Sequence, residues 1–194
     1  RFLPAAVASV MAQSHRPLEL IVVDDASNDD SPALLKRLAE RHPELRVERL
    51  RTNRGHSAAR NIGARIASGD FLALLDADDI WHPDKLRRQL AVFGANGPDL
   101  GSVYCREDRM NQASVPLGPA VFPRYEGEVY AALLLGNCVG GGSAAVVPRH
   151  VYHEVGGFDE SLTNSADLDF FLAVAERYRF ACVPEALLHY RRRP

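Results

Sequence analysis

The sequence predicts a three-layer α/β domain in which helices cover both faces of a central, mostly parallel sheet. Two apolar runs, at residues 18–23 and 71–75, are each followed directly by acidic residues. Such runs are typical of strands that are covered on both faces. Helix patterns alternate with the strands along the chain, as they do in α/β domains. Because sheets of this kind bind ligands at the carboxyl ends of their strands, the acids after the two runs are the first candidates for a functional site.

The other strand candidates are shorter or less regular. Residues 46–50 alternate between apolar and polar side chains, as a half-buried strand does. Further candidates lie at residues 101–105, 143–147 and 179–183.

Four helices are marked by the chemistry of their ends. Ser31 is placed to cap the first of them, with Pro32 at its first helical position and Pro43 beyond its end. The second covers residues 57–68 and is followed by Gly69, which suits a left-handed C-cap. The other two are expected at residues 83–93 and 166–178.

Two segments lack a regular pattern. Residues 106–125 are polar and contain three prolines, and a loop of that length inside a compact domain is usually functional or mobile. Residues 137–143 contain three consecutive glycines. These glycines either let the backbone approach a ligand closely or only form a hinge, and the sequence leaves both readings open.

Length and charge exclude several classes of protein. A chain of 194 residues with 46% hydrophobic residues suits one folded domain rather than a disordered segment. A net charge of −2 provides no broad positive field for nucleic acid. Three widely spaced cysteines fit a reducing, cytosolic setting. No apolar run approaches the roughly 18 residues of a membrane span, and the first residues do not resemble a signal peptide.

The acids after the run at 71–75 predict a metal–phosphate site. On an extended chain Asp76 and Asp78 point the same way, whereas Asp79 points elsewhere. Carboxylates this close repel each other unless a cation offsets their charge, and oxygen-only ligands suit Mg²⁺ or Mn²⁺. The alternative is an acidic, solvated turn that caps the helix beginning near Pro83.

Several short motifs occur in an order and at spacings that resemble one known family. In chain order they are Ser9-Val10-Met11-Ala12-Gln13, Asp24-Asp25-Ala26-Ser27-Asn28-Asp29, Asn53-Arg54-Gly55, Ala59-Arg60-Asn61, Gly69-Asp70, Leu75-Asp76-Ala77-Asp78-Asp79, Gly156-Gly157-Phe158-Asp159-Glu160, Asp167 and Tyr190-Arg191. Together they resemble the family 2 glycosyltransferases, which are inverting enzymes of the GT-A fold. The resemblance covers nearly the whole chain.

The resemblance implies transfer of a sugar from a nucleoside diphosphate donor to an acceptor hydroxyl, with inversion at the anomeric carbon. It implies that Asp25 binds the nucleobase, usually uracil, and that Asp76 faces the ribose or the metal. Asp78 would reach Mn²⁺ or Mg²⁺ on the pyrophosphate, with Asp79 as a further ligand or as a partner of one. Asp167 matches the position of the general base, although a carboxylate in the first turn of a helix is also stabilised by the helix dipole alone.

The matched motifs also contain cationic and aromatic candidates. Arg54, Arg60 and Arg191 are implied contacts of the donor diphosphate, and the alternative for each is a structural ion pair. Trp81 either stacks on a sugar or base, or packs against the helix that follows it.

The sequence departs from the family at its beginning. The usual first strand, which ends in a Pro-x-Tyr-Asn-like motif, is missing, so the chain enters at the first helix. The resemblance implies a nucleotide-binding part at about 1–100 and an acceptor-side part at about 101–194 of a single domain. The alternative function is a truncated or inactive GT-A module that binds a nucleotide or a partner without turnover.

The expected donor is a UDP-sugar and the expected acceptor is a saccharide or a lipid-linked molecule, with no nucleic-acid partner. Enzymes of this kind usually work in the cytoplasm or at the inner face of the membrane. Peripheral attachment through segments outside this sequence is compatible with the resemblance.

Overall fold

The computed structural model describes residues 1–16, 18–121 and 123–192. The helices are α1 (Leu3–Met11), α2 (Ser31–Arg41), α3 (His56–Ile66), α4 (Lys85–Asn96), α5 (Tyr130–Leu135), α6 (Arg149–Glu154) and α7 (Ala166–Ala175). The strands are β1 (Leu20–Asp24), β2 (Leu45–Arg49), β3 (Phe71–Ala73), β4 (Ile80–Trp81), β5 (Leu100–Met110), β6 (Pro116–Pro119), β7 (Ala145–Pro148) and β8 (Arg179–Arg191). A 3₁₀ turn, Gly142–Ala144, leads into β7.

The strands form two sheets within the described residues. β1 and β2 pair in parallel, and the larger sheet has the order β3-β7-β5-β8-β4 with β6 on β5. In the larger sheet only β5 and β8 run parallel to each other, and the other pairings are antiparallel. The α/β class is therefore confirmed, but the sheet is mixed and not mostly parallel. Apolar runs predict burial on both faces of a sheet, whatever the direction of the neighbouring strands, so the sequence pattern did not reveal the antiparallel pairings.

Helices pack on both faces of the larger sheet, as expected for three layers. Tyr104 of β5 faces a cluster that includes α5 and α7, whereas its neighbours Val103 and Cys105 face a cluster that includes α1 and α4. Successive residues of a strand point to opposite faces. The side chains of β5 therefore join the two halves of the core.

The two longest strands exceed their predicted lengths. β5 continues to Met110 and β8 to Arg191. The expectation of a loop throughout 106–125 was therefore wrong for residues 106–110 and also for residues 116–119, which form β6. Residues 108–110 pair with β6 on one side and β8 on the other. Backbone hydrogen bonds hold this charged stretch in the sheet, and they do not depend on apolar side chains.

The four predicted helices are confirmed, with differences at their ends. Asp30 and not Ser31 is the N-cap of α2, and the backbone N–H of Ser31 donates to the Asp29 side chain. α3 ends at Ile66 and is followed by Ala67 in an extended conformation. Gly69 is therefore not its C-cap. In the described part of the chain, no helix is long and apolar enough to cross a membrane.

α1 is the first element of the chain, and β1 follows it. Among the described residues no strand joins β1 to the larger sheet. The carboxyl ends of β1 and β3 nevertheless lead into the two acidic segments that the sequence singled out.

Candidate active site

The acidic loop that follows β3, residues 76–79, is held by the 3₁₀ turn beneath it. The backbone N–H of Asp76 donates to Ser143 Oγ at 3.0 Å, and the N–H of Asp79 donates to the Asp76 carbonyl at 3.0 Å. The indole Nε1 of Trp81 donates to the Ser143 carbonyl at 2.9 Å. Trp81 is 4% exposed, so it packs against the fold and fixes the loop.

Asp79 lies at the base of this loop and is 1% exposed. Its Oδ1 accepts a hydrogen bond from the backbone N–H of Arg191 at 2.9 Å, and its Oδ2 has no hydrogen-bond partner in the described residues. Burial, with a smaller contribution from the Asp76 and Asp78 carboxylates, raises the pKa of Asp79 to about 7. The structure thus places Asp79 inside the protein, so its role as a metal ligand stays a prediction.

Arg191 supports the same loop from the end of β8. It is 2% exposed, its Nε donates to the Asp78 carbonyl at 2.8 Å, and its Nη1 donates to the Asn111 carbonyl at 2.7 Å. Its guanidinium lies 4.0 Å from the centre of the Phe2 ring. These contacts direct the Arg191 side chain into the interior of the protein. Its predicted contact with a diphosphate stays a prediction.

Arg60 on α3 brings two of the predicted acids together. Its Nη2 lies 2.7 Å from Asp76 Oδ1 and its Nη1 lies 2.7 Å from Asp167 Oδ1. The side chain of Arg60 is 12% exposed, whereas those of Asp76 and Asp167 are 42% and 27% exposed. Burial opposes the charge, but the two carboxylates outweigh it and raise the pKa of Arg60 above its usual value. The guanidinium therefore stays charged.

Asp25 follows β1 and is held by the segment that leads into α3. Its Oδ1 accepts from the backbone N–H of Arg54 at 2.7 Å, and its Oδ2 accepts from that of Gly55 at 2.8 Å. Gly55 has a φ of +88°, which a residue with a side chain rarely adopts. The two hydrogen bonds fix the plane of the Asp25 carboxylate.

The Arg54 side chain points toward the turn at residues 156–160. Its Nη2 lies 2.8 Å from Glu160 Oε2, with both side chains more than a third exposed. Such an exposed pair contributes little to stability. The Arg54 guanidinium is therefore an ion-pair partner of Glu160, and its predicted contact with a diphosphate stays a prediction.

The donor chemistry of the acidic loop fits a hard divalent cation. Asp76 and Asp78 supply carboxylate oxygens, and the Asp76 side chain is 42% exposed. Across the described residues there is no group of three or more His, Cys, Asp or Glu side chains that could hold a metal ion by itself. Mg²⁺ is usually held by one or two carboxylates together with substrate phosphates, so this donor set suits Mg²⁺ or Mn²⁺ with a phosphate ligand.

Sequence reasoning found the acids but missed part of their support. It assigned no role to Ser143, whose hydroxyl binds the Asp76 backbone. It also did not place Gly142 against Asp167, where a Cβ atom would lie 3.1 Å from Asp167 Oδ1. The glycine run at 140–142 was the available signal. The close approach of Gly142 to Asp167 favours the first of its two readings, because the backbone lies directly against the site.

Comparison with known proteins identifies the family. The model of the family described as "Glycosyl transferase family 2" matches residues 1–156. YwdF of Bacillus subtilis, an uncharacterized glycosyltransferase, is 32% identical over 187 residues, which cover 94% of this chain and 66% of YwdF. The succinoglycan biosynthesis protein ExoO of Rhizobium meliloti is 40% identical over 95 residues, which cover 49% of this chain and 27% of ExoO.

Two solved structures share the fold. S. aureus TarS in complex with UDP aligns with a TM-score of 0.78 at 18% identity, over 100% of this chain and 57% of TarS. The mannosyltransferase PcManGT from Pyrobaculum calidifontis, in complex with GDP-Man and Mn²⁺, aligns with a TM-score of 0.73 at 23% identity, over 97% of this chain and 52% of PcManGT. The predicted GT-A fold is thereby confirmed.

The chain spans only part of each relative, from 27% of ExoO to 66% of YwdF. The family match, however, extends from residue 1 to residue 156 of its 194 residues. The chain therefore belongs to glycosyl transferase family 2.

Proposed function

We propose that this chain transfers a sugar from a nucleoside diphosphate donor to an acceptor hydroxyl, with inversion at the anomeric carbon. The observation that carries the proposal is the position of Arg60, which contacts Asp76 at the end of β3 and Asp167 at the start of α7. The acid assigned to the leaving group and the acid assigned to the acceptor therefore face one another across a single cation. An inverting displacement needs such groups on opposite sides of one sugar.

Asp25 is the proposed contact of the nucleobase. Its two oxygens already accept from Arg54 and Gly55, and each keeps a further lone pair for a base N–H. Uracil and guanine both present a ring N–H donor. We expect UDP first, because the family resemblance favours uracil, and GDP second, because PcManGT was solved with GDP-Man.

Asp78 and Asp76 are the proposed ligands of Mn²⁺ or Mg²⁺, with Asp79 as their buried support. When bound, the metal stabilises the charge that develops on the departing diphosphate. Arg54 and Arg60 are the cationic side chains beside the site that could share this charge. Arg191 would act indirectly, by holding the Asp78 backbone.

Asp167 is the proposed general base. Its carboxylate takes the proton of the acceptor hydroxyl while the acceptor oxygen bonds to the anomeric carbon. The bond between that carbon and the diphosphate oxygen breaks, and the nucleoside diphosphate leaves with the electron pair. A general base in this role contributes about 10²- to 10⁴-fold to the rate.

The acceptor is proposed to be a growing saccharide or a lipid-linked sugar. The names of ExoO, a succinoglycan biosynthesis protein, and of TuaG of Bacillus subtilis, which is named for teichuronic acid biosynthesis, support polysaccharide synthesis. A site of action in the cytoplasm, at the inner face of the membrane, would suit such acceptors. We assign donor binding mainly to residues 1–100 and acceptor binding mainly to residues 101–194.

Calorimetry with UDP and with GDP, each with and without Mn²⁺, tests the donor site. Asp78→Ala should weaken metal-dependent binding at least about tenfold, because it removes a charged ligand. The exposed Asp99→Ala is the matched control and should bind as the parent chain does. Failure of the parent chain to bind any nucleoside diphosphate would contradict the proposal.

Turnover is tested by hydrolysis and transfer assays with UDP-GlcNAc and GDP-Man. Asp167→Asn should lose about 10² or more in kcat and keep its affinity for the nucleotide. Asp169→Asn, an exposed acid in the same helical turn, should retain both. Binding without turnover in the parent chain would support the alternative of a non-catalytic module. The separation of the β1–β2 sheet, which leads into Asp25, from the larger sheet favours that alternative.

A further inference from the structure

The guanidinium of Arg60 divides its two arms between two carboxylates that belong to distant parts of the chain. Asp76 follows β3 and Asp167 opens α7, and each presents its Oδ1 atom at 2.7 Å to a different nitrogen of Arg60. The guanidinium is planar and rigid, so it holds the two carboxylates at a defined separation. A lysine ammonium on its flexible side chain would not fix that separation.

The surroundings of Arg60 leave the side chain little freedom. Its guanidinium lies 5.0 Å from the centre of the Phe158 ring. On another side, a Cβ atom at Gly142 would lie 3.1 Å from Asp167 Oδ1 and 3.6 Å from the guanidinium carbon. The glycine turn thus lies against the Arg60–Asp167 pair, and a side chain at Gly142 would force Asp167 to shift by a few tenths of an ångström.

We propose that Arg60 is the positioning residue of Asp167, and this inference rests on the proposed function. The value of the contact lies in the orientation of the base, because Arg60 fixes one oxygen of the Asp167 carboxylate. Arg60 donates to Oδ1 of Asp167, and the backbone at Gly142 lies close to the same atom. Oδ2 is therefore the more open oxygen, and we assign the proton of the acceptor hydroxyl to it.

The two nitrogens of the Arg60 guanidinium then behave differently when the donor site is occupied. If Asp76 held a divalent cation, its carboxylate would attract Arg60 less strongly, and the Nη2 arm would be able to turn toward the donor phosphates. The Nη1 arm stays on Asp167. Occupation of the donor site and orientation of the base are thereby linked through one side chain.

Kinetics separate positioning from simple donor binding. Arg60→Ala should lower kcat about 10²-fold, the size of effect that a small misplacement of a reacting group produces, with less change in KM and in the Kd for UDP and Mn²⁺. Arg60→Lys keeps the charge without the fork and should recover only part of kcat. Free guanidinium at millimolar concentration should partly restore Arg60→Ala but not Asp167→Asn.

The matched control is Arg65→Ala, an exposed arginine on the same helix, which should behave as the parent chain does. If Arg60→Ala lowers the nucleotide affinity and raises KM in proportion, with kcat unchanged, the inference is overturned and Arg60 is a donor contact only. Circular dichroism and thermal unfolding establish that each variant is folded, and Arg60→Gln serves if the alanine variant is not.

NMR of the Arg60 side chain tests the inference without any turnover. Its Nη1–H signals should be slowly exchanging in the parent chain, lost in Asp167→Ala, and retained when UDP and the diamagnetic ion Mg²⁺ are added. Loss of these signals on nucleotide binding would overturn the inference, because Arg60 would then have left Asp167. A parent chain that binds nucleotide but never turns over would contradict the proposed function instead, and this spectrum would still decide the position of Arg60.

Discussion

Lys85 is the most completely enclosed charged side chain near the acidic loop, with 0% exposure at the start of α4. Its ammonium lies 4.3 Å from the centre of the Trp81 ring and has no hydrogen-bond partner among the described residues. Burial lowers the pKa of Lys85 to about 8. The residue therefore fills space beneath the loop and reduces the stability of the fold while it is charged.

We expect Lys85→Met to stabilise the protein at pH 7. The folded pKa of about 8 lies below the unfolded value of 10.5, so the unfolded chain binds more protons between these values and the stability of the parent rises with pH across that window. The difference between the two pKa values corresponds to a destabilisation of the folded parent of at most about 3 kcal/mol at pH 7. The cation–π contact of Lys85 with Trp81 reduces this cost. Urea unfolding at pH 7 and pH 10 should show that the free energy of unfolding increases less with pH in Lys85→Met than in the parent chain.

Lys36→Met on the exposed side of α2 is the control for this measurement. It should leave the pH dependence of unfolding unchanged. A less stable Lys85→Met at both pH values would show instead that the ammonium makes a net favourable contribution in its place under Trp81.

At the scale of elements, the turn at residues 156–160 is held to α3 by one amide side chain. Asn61 Oδ1 accepts from the Tyr152 hydroxyl at 2.8 Å and from the Phe158 N–H at 2.9 Å. Its Nδ2 donates to the Phe158 carbonyl at 2.8 Å. A Cβ atom at Gly157 would lie 2.6 Å from Asn61 Oδ1, so the contact requires both the amide and the glycine.

A double-mutant cycle measures this requirement. Asn61→Ala should destabilise the protein by about 2 kcal/mol, because it leaves partly buried donors without acceptors. Gly157→Ala should destabilise it by more than Gly156→Ala does. Both glycines have positive φ, at +73° and +89°, but a Cβ at Gly156 meets nothing within 4 Å.

The double variant Asn61→Ala with Gly157→Ala should be less destabilised than the sum of the two single changes. The closest contact of the new Cβ, with Asn61 Oδ1, disappears with the amide, whereas its contact with Tyr152 at 3.0 Å remains. Chemical unfolding of the parent, the two single variants and the double variant gives the coupling free energy between Asn61 and Gly157. Additive effects would contradict the arrangement of this turn.

Local sequence patterns predicted part of this structure. The strands before the acids, the four long helices and the acids themselves followed from apolar patterns and end signals. The charged second half of β5 was missed, because pairing with β6 and β8 on its two sides is a tertiary effect. The inward position of Arg191 was missed for the same reason, since its Nε bonds the Asp78 carbonyl across 113 residues of sequence.

At the scale of the whole molecule, the two sheets differ in how well they are covered. β5 contains residues with 0% exposure, Val103 and Cys105, and pairs along its length with β8. β1 is only half-buried over four of its five residues, and its one strand partner within residues 1–16, 18–121 and 123–192 is β2. A two-stranded sheet is marginally stable without further packing, and here α3 and α2 supply that packing.

Local opening should therefore begin in the β1–β2 sheet. Hydrogen exchange of the native protein should be faster for the hydrogen-bonded amides of β1 than for those of β5 by at least about tenfold, which corresponds to a difference of about 1.4 kcal/mol in opening free energy. Addition of UDP and Mn²⁺ should slow exchange in β1 more than in β5, because Asp25 follows directly from β1 and a ligand stabilises the state that binds it. Equal protection of the two strands, with and without nucleotide, would show that the sheets open together as one cooperative unit and would contradict a donor site that extends to the end of β1.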